Sequence, residues 1–351
     1  MRPSRSLPPL VVLLSLGTAA CRPETPAASV ARYTRAIEHD STDATARSRR
    51  ALAYRALGKP FAAIADMEAA VRLRPDVAEA HYQLGRLYAP WPNDYVAARA
   101  QFDTALRLNP RLAEGYIGRA GMRGWNGVPA NNDSIRADIR AALGLNPRLA
   151  TAYLLRGDLE SFLLSQPDSA LADYTTAIRL APDDAAGYDH RGGLYMSTRH
   201  KSPDYDRAIA DYGTAIRLAP DSLDYRWGRG NGYLQRARAR RDTNDDRRAV
   251  SDFSAAAALD SGSTWAYTSL YHGRGLAYLD LGELDHAIAD FTTSVTGSLP
   301  EERAYYDRGL AYARRGDRAH ARADFRKIVS VSDDTLLKRL AREQLGGLGT
   351  P

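Results

Sequence analysis

Tyr305-Tyr306-Asp307-Arg308-Gly309-Leu310-Ala311-Tyr312, followed by Ala321, Phe325 and Ile328, is the stretch whose reading decides the fold. Ala321, Phe325 and Ile328 stand at i, i+4 and i+7, which is one face of an α-helix. The same spacing recurs upstream of a series of prolines, Pro75, Pro110, Pro147, Pro182 and Pro220. Twelve residues before them stand Ala63, Ala98, Ile135, Ala170 and Ala208; eight before, Met67, Phe102, Ile139, Tyr174 and Tyr212; five before, Ala70, Ala105, Ala142, Ala177 and Ala215. Each segment is predicted to be a helix with one buried stripe, and the proline that follows cannot continue it. The stripe recurs without the proline at Ala249, Phe253 and Ala256, and at Ala287, Phe291 and Ser294.

Ahead of each such helix the sequence predicts another, marked by a small residue with a tyrosine three places later. The pairs are Ala51 with Tyr54, Gly85 with Tyr88, Gly192 with Tyr195, Gly230 with Tyr233, Gly275 with Tyr278 and Gly309 with Tyr312. Gly157 keeps the glycine but has Glu160 in the tyrosine place, and Arg123 replaces the tyrosine in another copy. Glycine inside a helix costs about 1 kcal/mol against alanine. Its recurrence predicts a steric need: the two helices of a hairpin cross closely there.

This small-and-aromatic code resembles a tetratricopeptide repeat (TPR) array over residues 29–332. The resemblance implies an all-α, right-handed superhelical solenoid of antiparallel helix hairpins, a half-repeat followed by about eight repeats. Leu336, Leu337, Leu340 and Leu345, interleaved with Lys338, Arg339, Arg342 and Glu343, predict a capping helix within 333–347. Repeats three, five and six carry extra residues in the turn, including Trp125–Pro129, Ser197–Pro203 and the run Arg236–Asp242, all expected as loops on one edge. Ser261 replaces the final proline of repeat six.

The first twenty residues are a different kind of text. Arg2 and Arg5 precede an apolar run, Leu10–Leu16, then small residues up to Ala20, and then Cys21, the only cysteine. A charged start, a short apolar core and a small-residue exit predict a secretory signal peptide over 1–20. The apolar core is too short for a permanent transmembrane helix. A cysteine at the exit resembles a bacterial lipoprotein signal, which implies lipidation of Cys21 and a membrane anchor; Thr18 departs from the usual leucine. Residues 21–28 then form a short tether, and Arg22 implies outer-membrane residence, since the family's retention signal is an aspartate there. An ordinary secretory peptide with an incidental cysteine, leaving a soluble exported protein, is the alternative.

The net charge of +6, from 48 Lys and Arg against 42 Asp and Glu, is modest, and the arginines are scattered. That pattern reads as a solvated helix surface and not as a nucleic-acid stripe. The histidines are dispersed, which predicts no metal site, and no phosphate loop, dinucleotide fingerprint or serine elbow is present, which predicts no cofactor, small-molecule substrate or catalysis. Aspartates such as Asp66, Asp173, Asp211, Asp290 and Asp324 recur just before the buried large residue, the mark of a structural position. In the TPR family the first helices line a concave groove, so the resemblance places Tyr82, Arg86, Asp158, Asp189, Trp227, Asn231, Gln235, His272 and Tyr306 there as candidate partner-binding residues. Only Asn231 fits the lysine and asparagine set that TPR domains use for acidic chaperone tails. The function implied is a scaffold that holds a protein or peptide; the alternative is a structural subunit of an envelope assembly acting through its convex face or loop edge.

Overall fold

The computed structural model describes residues 24–91, 94–123, 132–197, 202–259, 264–296 and 302–349. The signal-like segment, Cys21, Trp125–Pro129 and Ser261 lie outside the described residues. Among those described, the chain is all α-helical apart from turns and one π-helical turn. It divides into two compact units, residues 1–111 and 112–351.

In the first unit, α1 (Pro26–His39) is followed by two hairpins, α2 (Ala44–Ala56) with α3 (Pro60–Leu73), and α4 (Ala78–Tyr88) with α5 (Tyr95–Leu108). Thr25 caps α1 by accepting a hydrogen bond from the Ala28 amide, so the helix begins inside the stretch expected to be a tether. Its buried residue is Ile37, whereas Ser29, Tyr33 and Ala36 are only half-buried.

The second unit holds six hairpins: α6 (Ala113–Arg123) with α7 (Asn132–Leu145), α8 (Ala150–Asp158) with α9 (Pro167–Leu180), α10 (Ala185–Met196) with α11 (Tyr205–Leu218), α12 (Leu223–Arg240) with α13 (Thr243–Leu259), α14 (Thr264–Leu281) with α15 (Leu284–Thr296), and α16 (Glu302–Arg315) with α17 (Arg318–Val331). A last helix, α18 (Thr335–Gly347), starts at Asp334, whose carboxylate accepts from the Leu336 and Leu337 amides. It lays Leu337 and Ala341 over Tyr306, Phe325 and Ile328. Leu336, expected on the buried face, is instead 52% exposed. Successive first helices of this unit touch one another, while successive second helices do so far less. The unit therefore curves with its first helices on the inside.

The recurrent glycines have a specific cause. A methyl group at Gly85, Gly157, Gly275 or Gly309 would come within 2.5–2.8 Å of the ring of Phe102, Tyr174, Phe291 or Phe325. What approaches the glycine is the ring of the second helix, rather than the helix backbones meeting directly. Where the second helix carries an aliphatic residue, Met67 or Ile139, the first helix has an alanine instead, Ala51 or Ala120, and all four are buried. Ring and hydrogen atom, or aliphatic chain and methyl group, are two ways of filling one space at interior packing density.

The buried aspartates also find their explanation. In seven of the eight hairpins the residue before the small position is an arginine that grips the aspartate in a two-pronged ion pair. The pairs are Arg50–Asp66, Arg119–Asp138, Arg156–Asp173, Arg191–Asp211, Arg229–Asp252, Arg274–Asp290 and Arg308–Asp324, with N···O distances of 2.5–3.0 Å. The fork geometry matches a carboxylate, so each bond is charge-assisted and the hairpin is fixed in register. The remaining hairpin has Leu84 and Gln101 at these places, and Gln101 pairs with His81 at 2.7 Å.

One expected loop is a helix. Arg236, Ala237, Arg238, Ala239 and Arg240 extend α12, and only Arg241 and Asp242 turn before α13. Arginine and alanine are strong helix formers, which is why the run continues the helix. Its guanidinium groups are engaged within the protein: Arg236 with Asp245 and Asp206 at 2.6–2.9 Å, Arg240 with Asp206 at 2.6 Å, and Arg238 with Asp280 at 2.7 Å.

Candidate binding cleft on the first-helix face

The family tyrosine that follows Gly157 is replaced by Glu160, and here the α-helix does not continue. Residues Leu159–Leu163 wind into a π-helical turn, closed by the Leu164 amide bonding to the Leu159 carbonyl and the Gln166 amide bonding to that of Glu160. Such turns re-aim side chains and recur at functional sites. In this one Phe162 stands 67% exposed. Between the π-turn, α8 and α10 opens a cleft of about 430 Å³, lined by Asp158, Phe162, Asp189 and His190 and floored by Tyr174 and Tyr212 from the second helices.

The cleft has a defined polar wall. Asp158 accepts two hydrogen bonds on the same oxygen, from the Tyr174 hydroxyl at 2.8 Å and from His190 Nδ1 at 2.7 Å. Burial pulls the His190 imidazolium down, but the bond to Asp158 and the charges of Asp158 and Asp189 together hold its pKa above the ordinary value. Burial, reinforced by the Asp158 carboxylate, pushes the Tyr174 hydroxyl up, so it stays a donor. The Asp189 carboxylate is half-buried and forms no hydrogen bond with another described residue. Burial raises its pKa, opposed by His190 and assisted by Asp224 and Asp158. A half-buried carboxylate that feels two other carboxylates and a histidine favours a cation from outside.

Of the residues expected to line a groove, Asp158 and Asp189 are brought together in this cleft. Trp227 is half-buried against the core that contains Leu234 and Phe253, and Asn231 and Gln235 are half-buried farther along α12. His272 and Tyr306 are built into the interior: His272 is 8% exposed and bonds Asp307 at 2.8 Å, and Tyr306 is 6% exposed against Phe325. Burial leaves neither ring open to a peptide in this fold. In the first unit, Arg86 is exposed and its guanidinium lies 5.7 Å from the half-buried Tyr82 ring.

His190 was missed by the sequence reading, although a signal existed. It stands two residues before Gly192, and the same register holds Gly228, Gly273 and Asp307. Gly228 and Gly273 face the ring of the preceding hairpin, Tyr212 and Phe253, and His190 likewise packs edge-on against Tyr174 with centroids 5.6 Å apart.

Residues 49–113 and 272–334 match the family model described as "Tetratricopeptide repeat". These two stretches are similar to tetratricopeptide repeats. The two matched stretches run from within α2 through α5 and from within α14 through α17. Among solved structures, the Cut9–Hcn1 hetero-tetramer of the APC/C is similar over 92% of this chain with a TM-score of 0.67 at 14% identity. Yeast Tom70 is similar over 91% with a TM-score of 0.53 at 18% identity. PilF of Pseudomonas aeruginosa is similar over 66% of this chain and 97% of its own, with a TM-score of 0.54 at 16% identity. The chain spans 59% of the Cut9–Hcn1 chain and 63% of Tom70. At these identities the likeness shows a shared TPR fold. No curated protein matches the sequence. Among the described residues, no helix is long and apolar enough to cross a membrane.

Proposed function

We propose that this TPR protein is a non-catalytic scaffold, exported and anchored through lipid on Cys21, that holds a partner peptide along the first-helix face of its second unit. The Asp158–Asp189 cleft takes a lysine or arginine side chain of that peptide. The observation that carries this reading is the Asp189 carboxylate, half-buried beside Asp158 and without a hydrogen bond to any described residue. An entering ammonium or guanidinium group supplies the charge-assisted bonds this carboxylate lacks, and exposed Phe162 offers a face for the aliphatic stem. The charged start, apolar run and lone Cys21 support export and anchoring.

The test is selection from a random peptide library on the purified chain and on Asp189→Asn. Enrichment of lysine or arginine at one position, lost in Asp189→Asn, is the expected result. Identical selected sequences for both proteins would sink the cation reading. Intact-mass analysis of the cell-derived chain against Cys21→Ser tests the anchor separately: an acyl mass on the wild type alone is expected, and its absence removes the anchor.

A further inference from the structure

The most exposed large apolar residues of the first unit gather on one edge. Val96 is 76% exposed and Phe61 is 72% exposed, and Phe61 stacks on Trp91 with ring centroids 5.2 Å apart. Leu57, in the turn just before Phe61, is 38% exposed. Phe61 and Val96 are the second residues of α3 and α5, and Trp91 lies in the turn that leads into α5.

The topology brings the N-terminal segment to the same edge. Helices α1 to α5 are joined by short connections and each packs on the next, so α1, α3 and α5 run in the same direction. Their starts, Thr25, Phe61 and Val96, therefore face the same way. Helix axes pack 8–10 Å apart, so the start of α1 lies roughly 16–20 Å from that of α3. From Cys21 to Thr25 is a span of four residues, reaching about 14 Å when extended. Whatever surface holds Cys21 therefore lies within roughly 34 Å of the start of α3, and the tether is long enough to bring the two together. The only Lys of the turn, Lys59, is exposed there as well.

We propose that this edge is a bilayer contact: Phe61, Trp91 and Val96 enter the headgroup region and set the first unit upright on the membrane, turn edge down. The proposal rests on the anchoring reading above. Tryptophan and phenylalanine suit the boundary between headgroups and acyl chains, where a large apolar ring is relieved of water and the indole N–H keeps a partner. Exposed apolar residues clustered where the chain is tied to lipid differ from the single exposed leucines that any surface carries. Leu73 and Leu108, at the opposite ends of α3 and α5, are exposed by 38% and 40%, well below Phe61 and Val96.

The single thiol makes the geometry testable whether or not cells acylate it. The chain from Cys21 onward, which keeps every described residue, is coupled through Cys21 to vesicles bearing maleimide lipid. Trp91 emission is taken as the difference between this protein and Trp91→Phe, with lipids brominated near the headgroup as quencher. The expected result is a blue shift of that emission on coupling, and quenching that disappears in the Phe61→Gln, Val96→Gln double variant. Both substituted positions are exposed, so the fold is retained, which circular dichroism checks. A Trp91 emission identical in brominated and plain vesicles overturns the proposal, and so does a blue shift that appears only when coupled chains are dense enough to touch each other. An unacylated Cys21 in cell-derived protein, together with quenching on coupled vesicles, overturns the anchoring reading and leaves the contact edge standing.

Discussion

The exchange between ring and glycine predicts a specific double-mutant cycle at Gly275 and Phe291. A methyl group at Gly275 would sit 2.7 Å from Phe291 Cε1, and Phe291 is fully buried, so the ring has nowhere to move. Replacing an interior helix glycine by alanine gains about 1 kcal/mol, and overpacking a filled core costs about 1–3 kcal/mol. Gly275→Ala alone is therefore expected to destabilise the hairpin by up to about 2 kcal/mol. Phe291→Ile alone leaves a void over the glycine and costs about 1–3 kcal/mol. Together they recreate the Ala120 and Ile139 pair of the α6–α7 hairpin, and the coupling is expected to recover about 1–3 kcal/mol. Repeat arrays lose all-or-none unfolding, so the readout is hydrogen exchange of amides in α14 and α15, which reports local opening free energies. Gly121→Ala is the control: a methyl group there meets nothing within 4 Å, and it is expected to stabilise. Additive single effects, or a Gly275→Ala as stabilising as Gly121→Ala, would refute the reasoning.

Asp290→Ala leaves Arg274, only 18% exposed, without its two-pronged partner and is expected to cost about 2–4 kcal/mol; Arg274→Met with Asp290→Leu costs less, as thermal denaturation will show. Asp246 is 5% exposed, one of its oxygens lacks a partner, and burial, then Asp280, raises its pKa to about 6, opposed by Arg238 and joined by Asp245 and Asp242. The unfolded group titrates near 3.8, so between that value and about 6 the folded state holds more protons and stability falls as pH rises. Asp246→Asn is then expected to stabilise by about 1–3 kcal/mol at pH 8 and by little at pH 3, measured by urea unfolding at both. Leu337→Ala is expected to cost about 2–4 kcal/mol in α17 and α18 and to increase dye binding to the uncovered surface around Phe325; unchanged exchange there would show that α18 does not cap the stack.

The helices were legible because a buried stripe imposes its 3.6-residue period on the sequence, and Ala321, Phe325 and Ile328 are all fully buried. The recurring aspartates announced a structural role for the same reason, but their arginine partners went unread. Each arginine lies 16–23 residues earlier in sequence and looks like any surface cation until the hairpin closes. The run Arg236–Asp242 breaks the repeat length and so reads as a loop, although the composition of Arg236–Arg240 favours helix. In the cleft, Asp158 and Asp189 followed from register, while the His190 to Asp158 bond joins residues 32 apart on two hairpins. The burial of His272 and Tyr306 was hidden by position too: their rings turn onto Phe291 and Phe325, which a one-dimensional register does not show.

Hairpins stacked in a row act as a line of coupled elements, and the strength of each coupling decides where the line breaks. Arg236 and Arg240 hold Asp206 on α11, and Arg238 holds Asp280 on α14, so α12 is riveted to the hairpins on both sides. By contrast α7 and α8 pack least among the successive helices of the unit. Under a pulling force or in mild denaturant, the α6–α7 hairpin is therefore the first to peel away, and α10 to α15 survive together as one block. The second unit would show an early small step and a late large one, the signature of a fault line beside a splint.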